Sequence, residues 1–325
     1  MTVIATTGER FSDFSPYVAS VNDAGTVAFQ AALPDGGSGV FTGSGGEVAE
    51  LAALPLLAGI TSHPDLNGAG AISFYADLSG GGQGVCLLRD GCLQTIADAR
   101  GSFVCIGPLG PTMTETGAVA FRADRTAGVS GVFAWDDAGV TTVAETDGPW
   151  SRFHGLPVIT RDRTVVFRAD RKDGGQGIYA GRGGYVGTVV ESGDRFESFG
   201  LFPSASADGT VAFAATLRGG EAGIFTADEH RITRLVDTGG PFESFRGALI
   251  TARNVVIAAT PRGGSLGLFA GSDPAADRIL ALDDPLLGST VAEFAANPVS
   301  VNAAGQVAVR ATLTDGRQLI LRADP

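Results

Sequence analysis

The sequence predicts an all-β chain folded as one seven-bladed β-propeller, with four strands in each blade. Three observations predict it. An apolar position recurs seven times at nearly even spacing. A second apolar position follows each at one fixed distance. The two ends of the chain supply what the other lacks.

The first position is held by Phe29, Phe74, Phe121, Phe167, Phe213, Ile257 and Val309, at intervals of 45, 47, 46, 46, 44 and 52 residues. The second is held by Phe41, Cys86, Phe133, Tyr179, Phe225, Phe269 and Leu321, always 12 residues later. Units of this length built from short strands and glycine turns describe propeller blades. Glycine supplies 48 of the 325 residues and marks the turns. It stands four residues before the first position (Gly25, Gly70, Gly117, Gly209, Gly305) and two before the second (Gly39, Gly84, Gly131, Gly177, Gly223, Gly267). At the former place it predicts a positive φ between two strands.

The fifth unit shows the four strands: inner near 201–206, second 210–217, third 222–227 and outer 231–237. Apolar residues on both faces of the second and third strands fit blades stacked on neighbours at either side. Segment 47–54 also has helical periodicity, but it occupies an outer-strand place and reads as strand. The chain ends on a third strand, and its opening TVIATTG matches the outer strands LVDTGG and VVESGD. Residues 1–8 therefore should complete the seventh blade and close a single domain spanning 1–325, leaving no free sheet edge.

The repeat N-x-x-G-x-V-A-F is clearest at Asn22–Phe29 (NDAGTVAF), with Asn67 and Asn302 in the same place and Thr114, Thr160 and Ser206 as smaller substitutes. It resembles the bacterial tandem-repeat proteins named for their NxxGxxAF motif, over the whole chain. The resemblance implies the ring and no particular chemistry. Many such proteins look secreted and anchored. This sequence departs, showing neither leader nor anchor, so the expectation is a cytoplasmic protein, with a secreted form trimmed of its leader as the alternative.

Composition removes several function classes. A net charge of −12 disfavours a nucleic-acid partner, since phosphate would be repelled by the average surface. No apolar run is long enough to span a membrane. Cys86, Cys92 and Cys105 are too few and too odd for a disulfide framework. Nucleophile-elbow, zincin, Walker and EF-hand signatures are absent, so no cofactor and no metal are called for.

A residue that recurs in every blade reads as scaffold, and one that occurs once reads as a site. The pairs Phe11/Phe14, Trp150/Phe153, Phe196/Phe199 and Phe242/Phe245 recur in the outer-to-inner loops and read as packing. On the same face, here called the top, two histidines stand once each: His154, beside Arg152 and Trp150, and His63, beside Asp65. Either suits acid–base work, or is a loop hydrogen-bonder. Asp77, Asp124 and Asp170 end successive second strands. Asp124 is the expected catalytic carboxylate and Asp170 a ligand-binding one, surface pairing with arginine being the alternative reading. Arg246 is an anion clamp or a rim ion pair, and Tyr17 offers a hydroxyl to the channel. The long loop 283–298 could lid the mouth.

These residues predict one small organic ligand at the top mouth of the channel. The site belongs to a cofactor-independent acid/base enzyme (lyase, cyclase, isomerase or hydrolase), with His154 or His63 as base. The alternatives are a protein-interaction scaffold and, third, a glycan-binding module.

Overall fold

The structure, a computed structural model, describes residues 1–51 and 57–324. Seven antiparallel sheets form the ring. Blade four is the most regular: inner strand Trp150–Ile159, second Val165–Arg171, third Gln176–Arg182 and outer Tyr185–Glu191. The inner strand is split in blade two (Leu57–Ile60, Asp65–Leu66), blade three (Cys105–Ile106, Thr112–Met113) and blade five (Phe196–Phe199, Ser204–Ala205). Thr2–Thr6 pairs antiparallel with Gln318–Ala323, from Thr2 opposite Arg322 to Thr6 opposite Leu319, so the N-terminal strand is the outer strand of blade seven.

The fixed offset of 12 is the register of the second-to-third hairpin. Phe29 lies directly opposite Phe41, Phe74 opposite Cys86, Phe121 opposite Phe133, and so on to Val309 opposite Leu321. Directly opposed side chains share a face, and here each pair packs against the preceding blade. The cluster of Phe29 and Phe41, for example, includes Ala308 and Ile320 of blade seven.

Three expectations change. Three of the four aromatic pairs are not in loops. In blades four, five and six they form the first half of the inner strand, with Phe196 opposite Leu217 and Phe199 opposite Ala215, while Phe11 and Phe14 flank a single bridge from Asp13 to Ala32. A bulge between Phe196 and Ser198 adds one residue, so side chains three apart land on one face. They then meet their own blade's hairpin, as Phe196 does at 5.2 Å from Phe225. The glycines two before the second position are likewise not turn residues. Gly131 lies inside its strand, where a Cβ would come 2.5 Å from the Phe133 ring. The glycines four before the first position do take the turn, with φ from +77 to +91. Lastly, the long segment near 283–298 is mostly strand, not loop. Pro285–Leu286 and Ser289–Ala295 make a hairpin, and Leu286 packs against the apolar cluster of blade seven. In segment 47–54, Ala49–Glu50 is strand, while 52–54 lie outside the described residues.

The asparagine of the repeat has two jobs. Its Oδ1 accepts amides of its own turn: Ala24 and Thr26 for Asn22, Ala69 and Ala71 for Asn67. Its Nδ2 donates to the next blade, from Asn302 to the Asn22 carbonyl, Asn22 to the Asn67 carbonyl, and Asn67 to the carbonyls of Thr114 and Glu115. A hydroxyl at this place stays within its own turn: Thr114 accepts the Ala118 amide, while Thr160 and Ser206 donate to the Thr164 and Thr210 carbonyls. The ladder therefore runs from blade seven through one and two to blade three. Among the described residues no helix is long and apolar enough to cross a membrane.

Candidate functional site

The unbroken inner strand of blade four builds the site. Arg152 lies opposite Asp170 and His154 opposite Arg168, so these four side chains emerge on one face. The ladder then breaks between His154 and Val158, at Gly155. Gly155 has φ +60, and a Cβ on it would fall 2.2 Å from the Leu201 carbonyl oxygen of blade five. No other residue fits without moving that backbone. The bulge turns the Gly155 carbonyl toward blade three, where it accepts a hydrogen bond from Arg122 Nη1 at 3.1 Å.

His154 Nε2 is 2.7 Å from Asp170 Oδ2. A carboxylate accepts, so Nε2 carries the hydrogen and Nδ1 keeps its lone pair, with no protein partner among the described residues. Burial pulls the pKa of His154 below its ordinary value; the Asp170 hydrogen bond opposes this, and Arg168 and Arg152 reinforce it. The imidazole is therefore neutral near neutral pH, aligned by a carboxylate and poised as a base.

The guanidiniums beside it are under-used. Arg168 has a side chain only 8% exposed; its Nη2 donates to Gln176 Oε1 at 2.7 Å and its Nη1 stands 3.9 Å from Asp170 Oδ1 in an ion pair, while neither Nε nor Nη1 makes a hydrogen bond. Arg122 Nε is also without one. Burial lowers the pKa of both arginines, and the charge of Arg152 lowers each further. Arg122 and Arg168 thus each keep a buried N–H without a hydrogen bond, and exposed Arg152 lies close enough to act on both. Buried unpaired donors of this kind call for an explanation, and an anionic ligand supplies one.

The other sequence candidates lie elsewhere. Asp124 stands opposite Cys105, raises the pKa of that thiol after burial does, and makes no hydrogen bond to either histidine among the described residues. The carboxylate that meets His154 is Asp170. Trp150 packs into the aromatic cluster of blade four, 5.8 Å from both Phe167 and Tyr179. Arg246 is exposed beside a bulge in the inner strand of blade six and forms no ion pair among the described residues. Tyr17 is half-buried, its phenol pushed up in pKa by burial and then by Asp77. Among the described residues no three His, Cys, Asp or Glu side chains gather to hold a metal.

His63 is not on the top surface. It is 2% exposed and lies against Gly110, where a Cβ would come 2.5 Å from the ring. Its Nε2 donates to the Pro111 carbonyl at 3.3 Å, and its Nδ1 accepts from Asn297 Nδ2 at 3.4 Å. It joins blades two, three and seven inside the ring. Burial pushes its pKa down to about 4, so it stays neutral as a structural side chain.

Arg122, Arg168 and Gly155 were not singled out by sequence as site residues. The signal for the arginines is their place, directly after the recurring aromatic, where burial on both faces is expected and where blades five and six carry Ala214 and Ala258. For Gly155 it is a glycine directly after the unique histidine.

No family model matches the sequence, and no curated protein sequence matches it. Solved structures do match in shape. An oligogalacturonate lyase in complex with manganese has a TM-score of 0.62 at 12% identity, over 100% of this chain and 99% of that one. The oligogalacturonate lyase of Vibrio parahaemolyticus has a TM-score of 0.55 at 11% identity, over 99% and 97%. A puromycin-hydrolyzing peptidase of Mycobacterium tuberculosis has a TM-score of 0.60 at 14% identity; all of this chain is covered, but it spans only 55% of that peptidase. At these identities the likeness shows the propeller fold.

Proposed function

We propose that the mouth at blade four binds a small organic acid and catalyses proton transfer next to its carboxylate, as a lyase or isomerase does. The observation that carries this is the His154–Asp170 pair set beside the N–H groups of Arg168 that make no hydrogen bond. Arg168 and Arg152 hold the carboxylate of the substrate. His154 Nδ1 removes the proton from the adjacent carbon, and the bonding pair moves into the carboxylate. Asp170 steadies the imidazolium that forms, and the guanidiniums stabilise the dianionic intermediate. The pair then either returns to carbon, which takes the proton back from His154, or expels a group from the next carbon. Oligogalacturonate, named for two of the matching rings, is an acidic substrate of this kind. The likeness to those rings carries only the fold, and the residues support the chemistry.

A protein partner is the second reading, supported by Val104 and Leu201, which are 55% and 53% exposed. The three unpaired cysteines support a reducing, cytoplasmic setting. The asparagine turns support membership of the NxxGxxAF repeat proteins.

The test is native mass spectrometry after incubation with a metabolite extract, followed by proton–deuterium exchange of any bound acid in D2O. The expected result is one bound carboxylate that exchanges its α-proton on the wild type, is held without exchange by His154→Ala, and is lost from Arg168→Gln. A ligand that binds all three proteins alike refutes the site. An extract that yields only a bound protein favours the interaction platform.

A further inference from the structure

The face opposite the mouth holds a second concavity that the proposed chemistry does not use. The residue just before each inner-to-second turn contributes to it, one per blade: Val21, Leu66, Met113, Ile159, Ala205, Ile250 and Val301. Together they make an apolar girdle around a cavity of about 260 Å³, with Pro298 and Val299 also in its wall. His63, neutral and buried, sits two residues before Asp65 within the ring.

One ionisable side chain stands deep in this wall. Asp65 is 9% exposed, and its Oδ2 accepts the Met113 amide at 2.6 Å. Its place in the repeat shows what the fold requires there. Thr112 accepts the Ile159 amide of the next blade, and Ser204 accepts the Ile250 amide. In these two blades a neutral hydroxyl ties neighbouring blades, while blades four and six carry Val158 and Leu249 there, so the fold requires no charge at this place. Blade two instead carries a carboxyl, whose burial drives its pKa up to about 7, with Glu115 adding to the shift. No cationic side chain pairs with it among the described residues. At the rim, Asp23 and Glu115 outnumber Arg161, and both carboxylates accept turn amides, from Ala303 and Gly68. An isolated buried acid is costly and, where the scaffold does not need it, calls for a functional account.

We infer that this cup is a ligand site for a small primary amine, its ammonium group paired with Asp65 and its aliphatic body lying against the seven-residue girdle. A neutral apolar guest would leave the carboxyl without a cationic partner, and an anion would be repelled by Asp23, Asp65 and Glu115. The site is independent of the mouth.

The probe is n-hexylamine, with n-hexanol and hexanoate beside it, titrated into the full chain and followed by the methyl signals of Val21, Met113 and Ile159. The variant is Asp65→Ser, which restores the residue found at this place in blades one, five and seven. Hexylammonium is expected to bind about tenfold or more tighter than hexanol, to lose that margin in Asp65→Ser, and to tighten from about pH 6 to about pH 8 as the carboxyl ionises. His154→Ala leaves this binding unchanged, so failure here and failure at the mouth are distinguishable. Equal affinity for amine and alcohol, full affinity in Asp65→Ser, or no methyl shift at about 10 mM amine would each overturn the assignment. Should the serine variant fold poorly, the carboxyl carbon of Asp65 in the wild type gives a second measure: its titration must move to lower pH when the amine is added, and an unmoved midpoint is equally fatal.

Discussion

Removing the side chain of Asn67 tests the account of the repeat. This residue is 4% exposed. Its Oδ1 accepts from Ala69 and Ala71 at 3.1 and 2.9 Å, and its Nδ2 donates to the carbonyls of Glu115 and Thr114 at 3.2 and 3.4 Å. Counting the three shorter bonds at about 1 kcal/mol net each, Asn67→Ala should cost about 3 kcal/mol. Asn67→Thr should recover the turn bond that Thr114 makes to Ala118, but not the bond between blades, and so cost about 2 kcal/mol. For a ring of this size unfolding as a unit, 3 kcal/mol corresponds to a fall in Tm of about 4 °C. Urea unfolding followed by the fluorescence of Trp135 and Trp150 measures both variants. An alanine variant within about 0.5 kcal/mol of wild type would refute the two-job account. A threonine variant as weak as alanine would show that the cross-blade bond carries the whole effect.

Two buried groups act in opposite senses on stability against pH. His63 has its pKa lowered to about 4 from an unfolded value of about 6.5, so the unfolded chain binds more protons between these limits, and roughly 3 kcal/mol is lost as pH falls through that window. Asp65 has its pKa raised to about 7 from about 3.9, so the folded chain binds more protons there, and a similar amount is lost as pH rises through about 4 to about 7. The wild type should therefore be nearly flat over this range by chemical unfolding. His63→Gln should lose stability as pH rises and Asp65→Ser as it falls, and two parallel curves would contradict the assignment. At the mouth, Arg152→Ala should raise the NMR titration midpoint of His154 by removing a cationic neighbour, and Asp170→Asn should lower it; an unmoved midpoint in both would show that the groups do not interact. Deleting residues 1–8 should expose the Gln318–Ala323 edge and give oligomers on size exclusion, reversed by a TVIATTG peptide added in trans. A monomeric, stable deletion would mean that the closing strand is dispensable.

The ring was legible because its strongest signal is a register. Phe29 and Phe41 stand 12 apart since they face each other across a hairpin, and a hairpin of fixed length leaves a fixed offset in the sequence. The inner strand was less legible. Its bulges place Phe196 and Phe199 on one face at a spacing of three, which resembles neither strand nor helix. The site was legible in pieces. His154 and Asp170 were each singled out, but for different roles, because the register that pairs them depends on the same kind of bulge. Arg168 looked like one half of a surface Arg–Asp alternation, and nothing in that pattern tells that one of its faces is sealed by blade five. His63 was expected on the surface since it lies between strands, yet its segment folds inward against Gly110.

The uneven asparagine ladder bears on how the ring opens. A ring closed by a strand distant in sequence would be expected to come apart first at its seam. Here the cross-blade amides run from Asn302 through Asn22 to Asn67, on both sides of that seam, while Thr160 and Ser206 spend their hydroxyls on their own turns. Local opening should therefore begin in blades four to six, and native-state hydrogen exchange should find the slowest amides next to the joined chain ends.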